Sequence, residues 1–160
     1  MDEVRRLARS IDMIASRCPH GLAAIVGEYE PPGEKELLAA ATWRPSSDVP
    51  QVSNSGYGDP LTPKVSALIE LTEPIEKVGW PAIQAAGREL KKLFPIDFEA
   101  YRLHLIYIEG TQWRAGDEST LERIARECRM DARTVRRRRH EVPRRIARAA
   151  IMGVQSAINF

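Results

Sequence analysis

Cysteine is scarce in this 160-residue sequence: only Cys18 and Cys128 occur, far apart and outside any paired motif. That argues against a disulfide framework and a thiolate zinc site, and leaves both as small core residues. Aromatic residues are also few, 6% against 29% charged and 43% apolar. A sheet protein would want more β-branched and aromatic side chains, so the expected fold class is all-α. No apolar run approaches the roughly 18 residues that cross a bilayer, and no membrane partner is expected. Met1-Asp2-Glu3 is acidic where a signal peptide is basic and then apolar, which points to the cytoplasm. Nothing resembles a catalytic centre. His20, His104 and His140 are isolated from any nucleophile, and Gly27 to Lys35 (GEYEPPGEK) lacks the Lys-Ser/Thr ending of a phosphate loop. No enzymatic role, catalytic residue, cofactor or metal is expected.

What is present is an uneven charge. Residues 1 to 110 carry 12 cations against 16 acids, whereas residues 111 to 160 carry 12 against 6, and all of those last twelve cations are arginine. A sign change of this kind is the footprint of a protein that meets a polyanion with one end.

Along the chain, Val4, Leu7, Ala8, Ile11, Ile14, Ala15 and Cys18 fall at helical spacing, Arg5, Arg6 and Arg9 lie off that stripe, and Pro19 stops the run. Short helices are expected within 21–30 and over 34–43. The pattern then lapses into Pro, Ser, Asn, Gly and Asp, which divides the chain into an N-terminal helical segment (1–45), a polar linker (46–63) and a helical region (64–160). Two helices meeting near Gly79-Trp80 follow, with Pro74 and Pro81 as interruptions. The next helix, 96–109, opens near Asp97 and shows an apolar face of Phe98, Tyr101, Leu105 and Ile108, widened by Leu103 and Ile106. His104 reads as a structural residue within it.

After a loop, Ser119-Thr120-Leu121-Glu122 forms a capping box, and Leu121, Ile124, Ala125 and Cys128 follow at i, i+3, i+4 and i+7. Arg129-Met130 then precede Asp131, an N-cap for a second helix. A short helix, a tight turn with an apolar plug and a capped second helix are the parts of a helix-turn-helix, placed at about 97–155. With Val135 at 0° and about 100° per residue, Val142 and Ile146 point inward, while Arg133, Arg137 and His140 fall on the far side and Arg136 beside it. Arg133, Thr134, Arg136 and Arg137 are therefore the candidates to read bases in a major groove of double-stranded DNA. Arg138, Arg139, His140, Arg144, Arg145 and Arg148 are the candidates to meet phosphates. Pro143 predicts that this recognition helix, about 132–142, ends or kinks, with a last helix from Arg144 to about Val154.

The stretch from about Asp59 to Ala150 resembles the phage-encoded late-gene transcriptional regulators of the ArpU and RinA type. The resemblance lies in Tyr107-Ile108-Glu109-Gly110, Trp113, Leu121-Glu122-Arg123-Ile124-Ala125 and Asp131-Ala132-Arg133-Thr134-Val135-Arg136-Arg137. Their DNA-binding part is similar to the helix-turn-helix of sigma-factor region 4. The resemblance implies a phage or prophage protein that binds a promoter and regulates transcription, with RNA polymerase as a further candidate partner. A second copy of the chain is a candidate partner on other grounds, since the apolar side of the last helix (Ile146, Ala147, Ala149, Ala150, Ile151 and Val154) has either the domain or that copy to pack on. It departs at the turn, where Arg129 stands in place of glycine, at a cost of about 1 kcal/mol if its φ is positive. The alternative is a DNA-packaging protein of the small-terminase type, which also joins a helix-turn-helix to helices that build rings.

Overall fold

The computed structural model describes residues 2–43, 61–110 and 120–158, and every regular element in them is an α-helix. In chain order these are α1 (Asp2–Arg17), α2 (Gly21–Ile25), α3 (Glu34–Thr42), α4 (Leu61–Val78), α5 (Trp80–Leu93), α6 (Pro95–Gly110), α7 (Thr120–Cys128), α8 (Ala132–Met152) and α9 (Val154–Ile158). No helix among them is long and apolar enough to cross a membrane. Of the expected linker, 61–63 belong to α4. The rest of it, the 111–117 loop with Trp113, and Ser119 of the capping box lie outside the described residues.

The periodic stripe of α1 is buried along its whole length, from Val4 to Cys18, with Leu7, Ile11 and Ile14 at 1% exposure or less. Full burial of three such side chains contributes on the order of 5–9 kcal/mol, as much as the net stability of many domains, about 5–15 kcal/mol. The N-terminal helices are therefore integral to the fold. Their apolar residues share one large core with Leu71 and Ile75 of α4, Ile83 and Leu90 of α5, Phe98 and Tyr101 of α6, Val142 and Ile146 of α8, and Ala157 of α9. At Gly87 the approach of α2 to α5 is so close that a Cβ would stand 2.3 Å from the Ile25 carbonyl oxygen. No larger residue fits that crossing.

A second, smaller core gathers Ala100 of α6, Ile124 and Ala125 of α7 and Val135 of α8, with Leu103, Cys128 and Met130 packed around it. Helix α6 thus serves both cores. Its Phe98 and Tyr101 face the large one, and its Ala100 and Leu103 face the small one.

Of the prolines expected to interrupt helices, Pro74 lies inside α4, which runs on to Val78, and Pro81 stands at a helix start. The boundary near Gly79-Trp80 is where the pattern puts it, with Gly79 at φ 95° and Pro81 in the first turn of α5. Pro143, however, does not end α8, which runs unbroken from Ala132 to Met152. Proline in a helix interior costs about 3 kcal/mol through a lost hydrogen bond and a ring clash. Pro143 is itself buried, and its neighbours Val142, Ile146 and Ala147 are at 2% exposure or less, so packing holds the helix through the defect.

Buried polar groups on α6 carry a pH signature. The Tyr101 hydroxyl donates to Asp12 of α1 at 2.5 Å, and burial, then the Asp12 charge, raises its pKa well above the ordinary value. His104 is 3% exposed and its Nδ1 has no hydrogen-bond partner among the described residues. Burial, followed by the charges of Arg139 and His140, lowers its pKa from 6.5 to about 4. Below pH 6.5 the unfolded chain takes up a proton that the folded chain refuses, so this contribution to stability is lost as pH falls from 6.5 towards 4. Urea unfolding at pH 7 and pH 4.5 should show a loss of about 2.5 kcal/mol that His104→Gln does not share. An equal acid sensitivity in that variant would exclude His104 as its source.

Candidate nucleic-acid interface

The turn between α7 and α8 is built by backbone hydrogen bonds. Met130 N donates to Ala125 O at 3.0 Å and Arg129 N to Arg126 O at 3.4 Å, a six-to-one and five-to-two pair that closes α7 as a Schellman motif. This motif requires a left-handed residue, and Arg129 has φ 54°. Met130, the apolar residue that follows, packs on the small core beside Ala125. The chain then re-enters a helix at Asp131, which is extended at φ −81° and ψ 163°, and whose carboxylate accepts the Thr134 amide at 2.7 Å. That amide holds the Asp131 carboxyl below its usual range, with a smaller contribution from Arg133.

The outward face of α8 carries most of the expected residues. Arg133, Arg136, Arg137, His140 and Arg144 are all exposed. With Val135 at 0°, Arg144 comes to about 180°, so Arg133, Arg137, His140 and Arg144 form one stripe within about 60°. Arg137, exposed itself, approaches the half-buried Glu141 at 3.7 Å, a carboxylate it shares with Arg138 and Arg145. A contact this long from an exposed side chain is worth at most about 1 kcal/mol, and Arg137 can turn from it to another anion. Thr134 is half-buried, with its amide committed to the cap, and Arg139 is half-buried beside α1.

Three arginines that the spacing placed with the phosphate contacts are turned into the fold instead. Arg145 is 9% exposed, lies 4.3 Å above the Phe94 ring, and has Asp97 and Glu141 at 3.9 and 3.6 Å. Arg138 Nε is 3.2 Å from Asp97, and its Nη1 is 3.4 Å from Glu141. Arg148 Nε donates to the Ser156 carbonyl at 3.1 Å, fastening α9 to α8. Arg138 and Arg145 lie on the flank of α8 that meets the start of α6, where Asp97 and Glu141 supply the charge that a buried guanidinium needs. The spacing of Arg138, Glu141 and Arg145, three and then four residues apart, was the available signal. Asp97 reads from sequence as a first-turn acid of α6, and nothing local reveals its partners.

The described residues bring no three His, Cys, Asp or Glu side chains together as a metal site. Cys18 is buried, and desolvation, then Glu36, raises its thiol to about 11, far from a reactive thiolate.

Two stability measurements follow from this geometry. Asp97→Ala leaves Arg145 and Arg138 with Glu141 alone and should cost about 1–3 kcal/mol, a fall in Tm of about 2–12 °C. Combining it with Arg145→Met should cost less than the sum of the single changes by more than about 1 kcal/mol, and strict additivity would show that the two are uncoupled. Arg129→Gly relieves the left-handed backbone and should raise stability by about 0.5–1 kcal/mol. A destabilised glycine variant would contradict the strain assigned to that turn.

Compared with known proteins, the chain matches no family model, no curated protein and no solved structure.

Proposed function

We propose that this protein is a sequence-specific regulator of transcription that binds double-stranded DNA through a helix-turn-helix formed by α7 and α8, in phage or prophage genes. The observation that carries the reading is the face of α8. Five cationic or titratable side chains, at 133, 136, 137, 140 and 144, are exposed together, and only Arg137 has an acid within ion-pair distance among the described residues. Adjacent arginines that do not neutralise one another repel, and a polyanion relieves that repulsion. Arg133, Arg136 and Arg137 occupy the first turns of the helix, the part that enters a major groove in this class of motif, and their guanidinium forks match guanine O6 and N7. The short turn, the capped start of α8 and the small core that sets α7 against it support the same reading. The promoter role and the phage context come from the resemblance in residues 59–150, as does RNA polymerase as a candidate partner. No catalytic step is proposed.

The test is to select fragments of the source genome bound by the full chain, map them, and compare their affinity with that of random duplex at physiological salt. Fragments upstream of genes, bound far more tightly than random DNA, are expected. Arg137→Ala should shrink that ratio by about 5- to 150-fold, the 1–3 kcal/mol carried by one bidentate contact. Equal affinity for every duplex would overturn sequence-specific recognition. Fragments at a packaging site, together with a closed ring of many copies in solution, would overturn the transcriptional role in favour of DNA packaging.

A further inference from the structure

The apolar side of α1 packs the core, but its solvent side meets α8. Arg5 and Arg9, four residues apart and both exposed, line a shallow depression of about 180 Å³ together with Arg139, His140 and Arg144 of α8. Ala8 and Pro143 complete most of its lining, and one acid, Asp12, shares it. The Asp12 carboxylate already accepts the Tyr101 hydroxyl. Several exposed cations of the bundle are answered by acids, among them Lys77 by Glu3 at 2.6 Å, Lys91 by Glu28 at 2.6 Å, and Arg6, on α1 itself, by Glu73 at 3.8 Å, whereas others such as Lys64 and Lys92 stand singly among the described residues. Arg5, Arg9, Arg139 and Arg144 have no acidic group within ion-pair distance among the described residues. The same helix therefore pairs Arg6 with α4 and leaves Arg5 and Arg9 without an acid at ion-pair distance, Arg9 also bordering a depression that holds Glu70 of α4.

Position along α8 gives this cluster a partner. Arg144 follows Arg133 by eleven residues on the same stripe, about 16 Å along the helix axis at 1.5 Å per residue. A major groove is about 12 Å wide. With the first turns of α8 in the groove, the depression lies against its wall, where the phosphates run. We infer that Arg5 and Arg9 of α1, together with Arg144 of α8, clamp backbone phosphates beside the groove that α8 enters, so that the helical bundle itself holds the DNA. This inference rests on the DNA-binding reading above. It assigns to the N-terminal helix a contact that its periodicity does not suggest.

The test compares the full-length Arg5→Gln/Arg9→Gln variant with Lys64→Gln/Lys92→Gln, which removes the same charge from exposed sites on α4 and α5. Affinity for a random-sequence duplex is measured by fluorescence anisotropy between 50 and 200 mM salt, and circular dichroism confirms that both variants keep their helices. Each lost phosphate contact lowers the slope of log K against log salt by about 0.9, so the arginine variant should lose about 1.8 and the lysine variant close to nothing. Its affinity should fall equally for selected and random fragments, leaving their ratio intact, unlike Arg137→Ala. Matching slopes and affinities in the two variants would overturn the clamp while leaving DNA binding in place. Failure of the unsubstituted chain to bind any duplex would overturn both.

Discussion

A guanidinium withdrawn from water must be answered by charge, and the answer given to Arg145 holds this structure together at its joint. Asp97 stands in the first turn of α6, Glu141 one turn earlier on α8, and Phe94, just beyond the end of α5, lies beneath the cation. Three helices are thereby referred to one buried point. Removing one partner of such a pair costs far more than the pair contributes net, because the remaining charge stays buried. The geometry of α6 against α8 is fixed there, and because α6 also supplies Ala100 and Leu103 to the small core, the placement of α7 and its turn depends on the same point.

Helix α8 divides its labour along and around its axis. Its C-terminal half is a central strut of the large core, with Val142, Ile146 and Ala147 at 2% exposure or less. Its N-terminal half touches the fold through Val135 and the small core and leaves the opposite side to solvent. One residue type serves two ends. Arginines at about 280–300° from Val135 meet Asp97 and Glu141, whereas those at about 160–200° meet only the rim of a depression or, for Arg137, the near edge of Glu141 at 3.7 Å. Guanidinium suits both settings, since it stays charged when buried and carries donors in a planar fork.

The features legible in the sequence were those set by local periodicity or local capping. The stripe of α1, the Gly79-Trp80 junction, the cap at Asp131 and the positive φ at Arg129 each follow from a few neighbouring residues. What escaped depended on distant partners. The persistence of α8 through Pro143 needs the surrounding core, which overrides a local preference by burial. The inward turn of Arg138 and Arg145 needs Asp97, some forty residues earlier in the chain. Likewise Ala100, a weak signal on a helix rich in larger apolar residues, is the position through which α6 reaches the small core. Within the candidate site, angular position on α8 separated the outer arginines well, but the arginines of α1 beside them could be found only once the two helices were packed.

Because α8 is unbroken, its buried half and its exposed half are locked in rotational phase. Each residue turns the helix by about 100°, so a single insertion or deletion between Arg139 and Val142 would leave both ends helical and yet swing the arginine stripe round towards the core. Length, in this segment, is as tightly constrained as chemistry. A whole stretch of surface can tolerate substitution of its side chains while tolerating no change in their number.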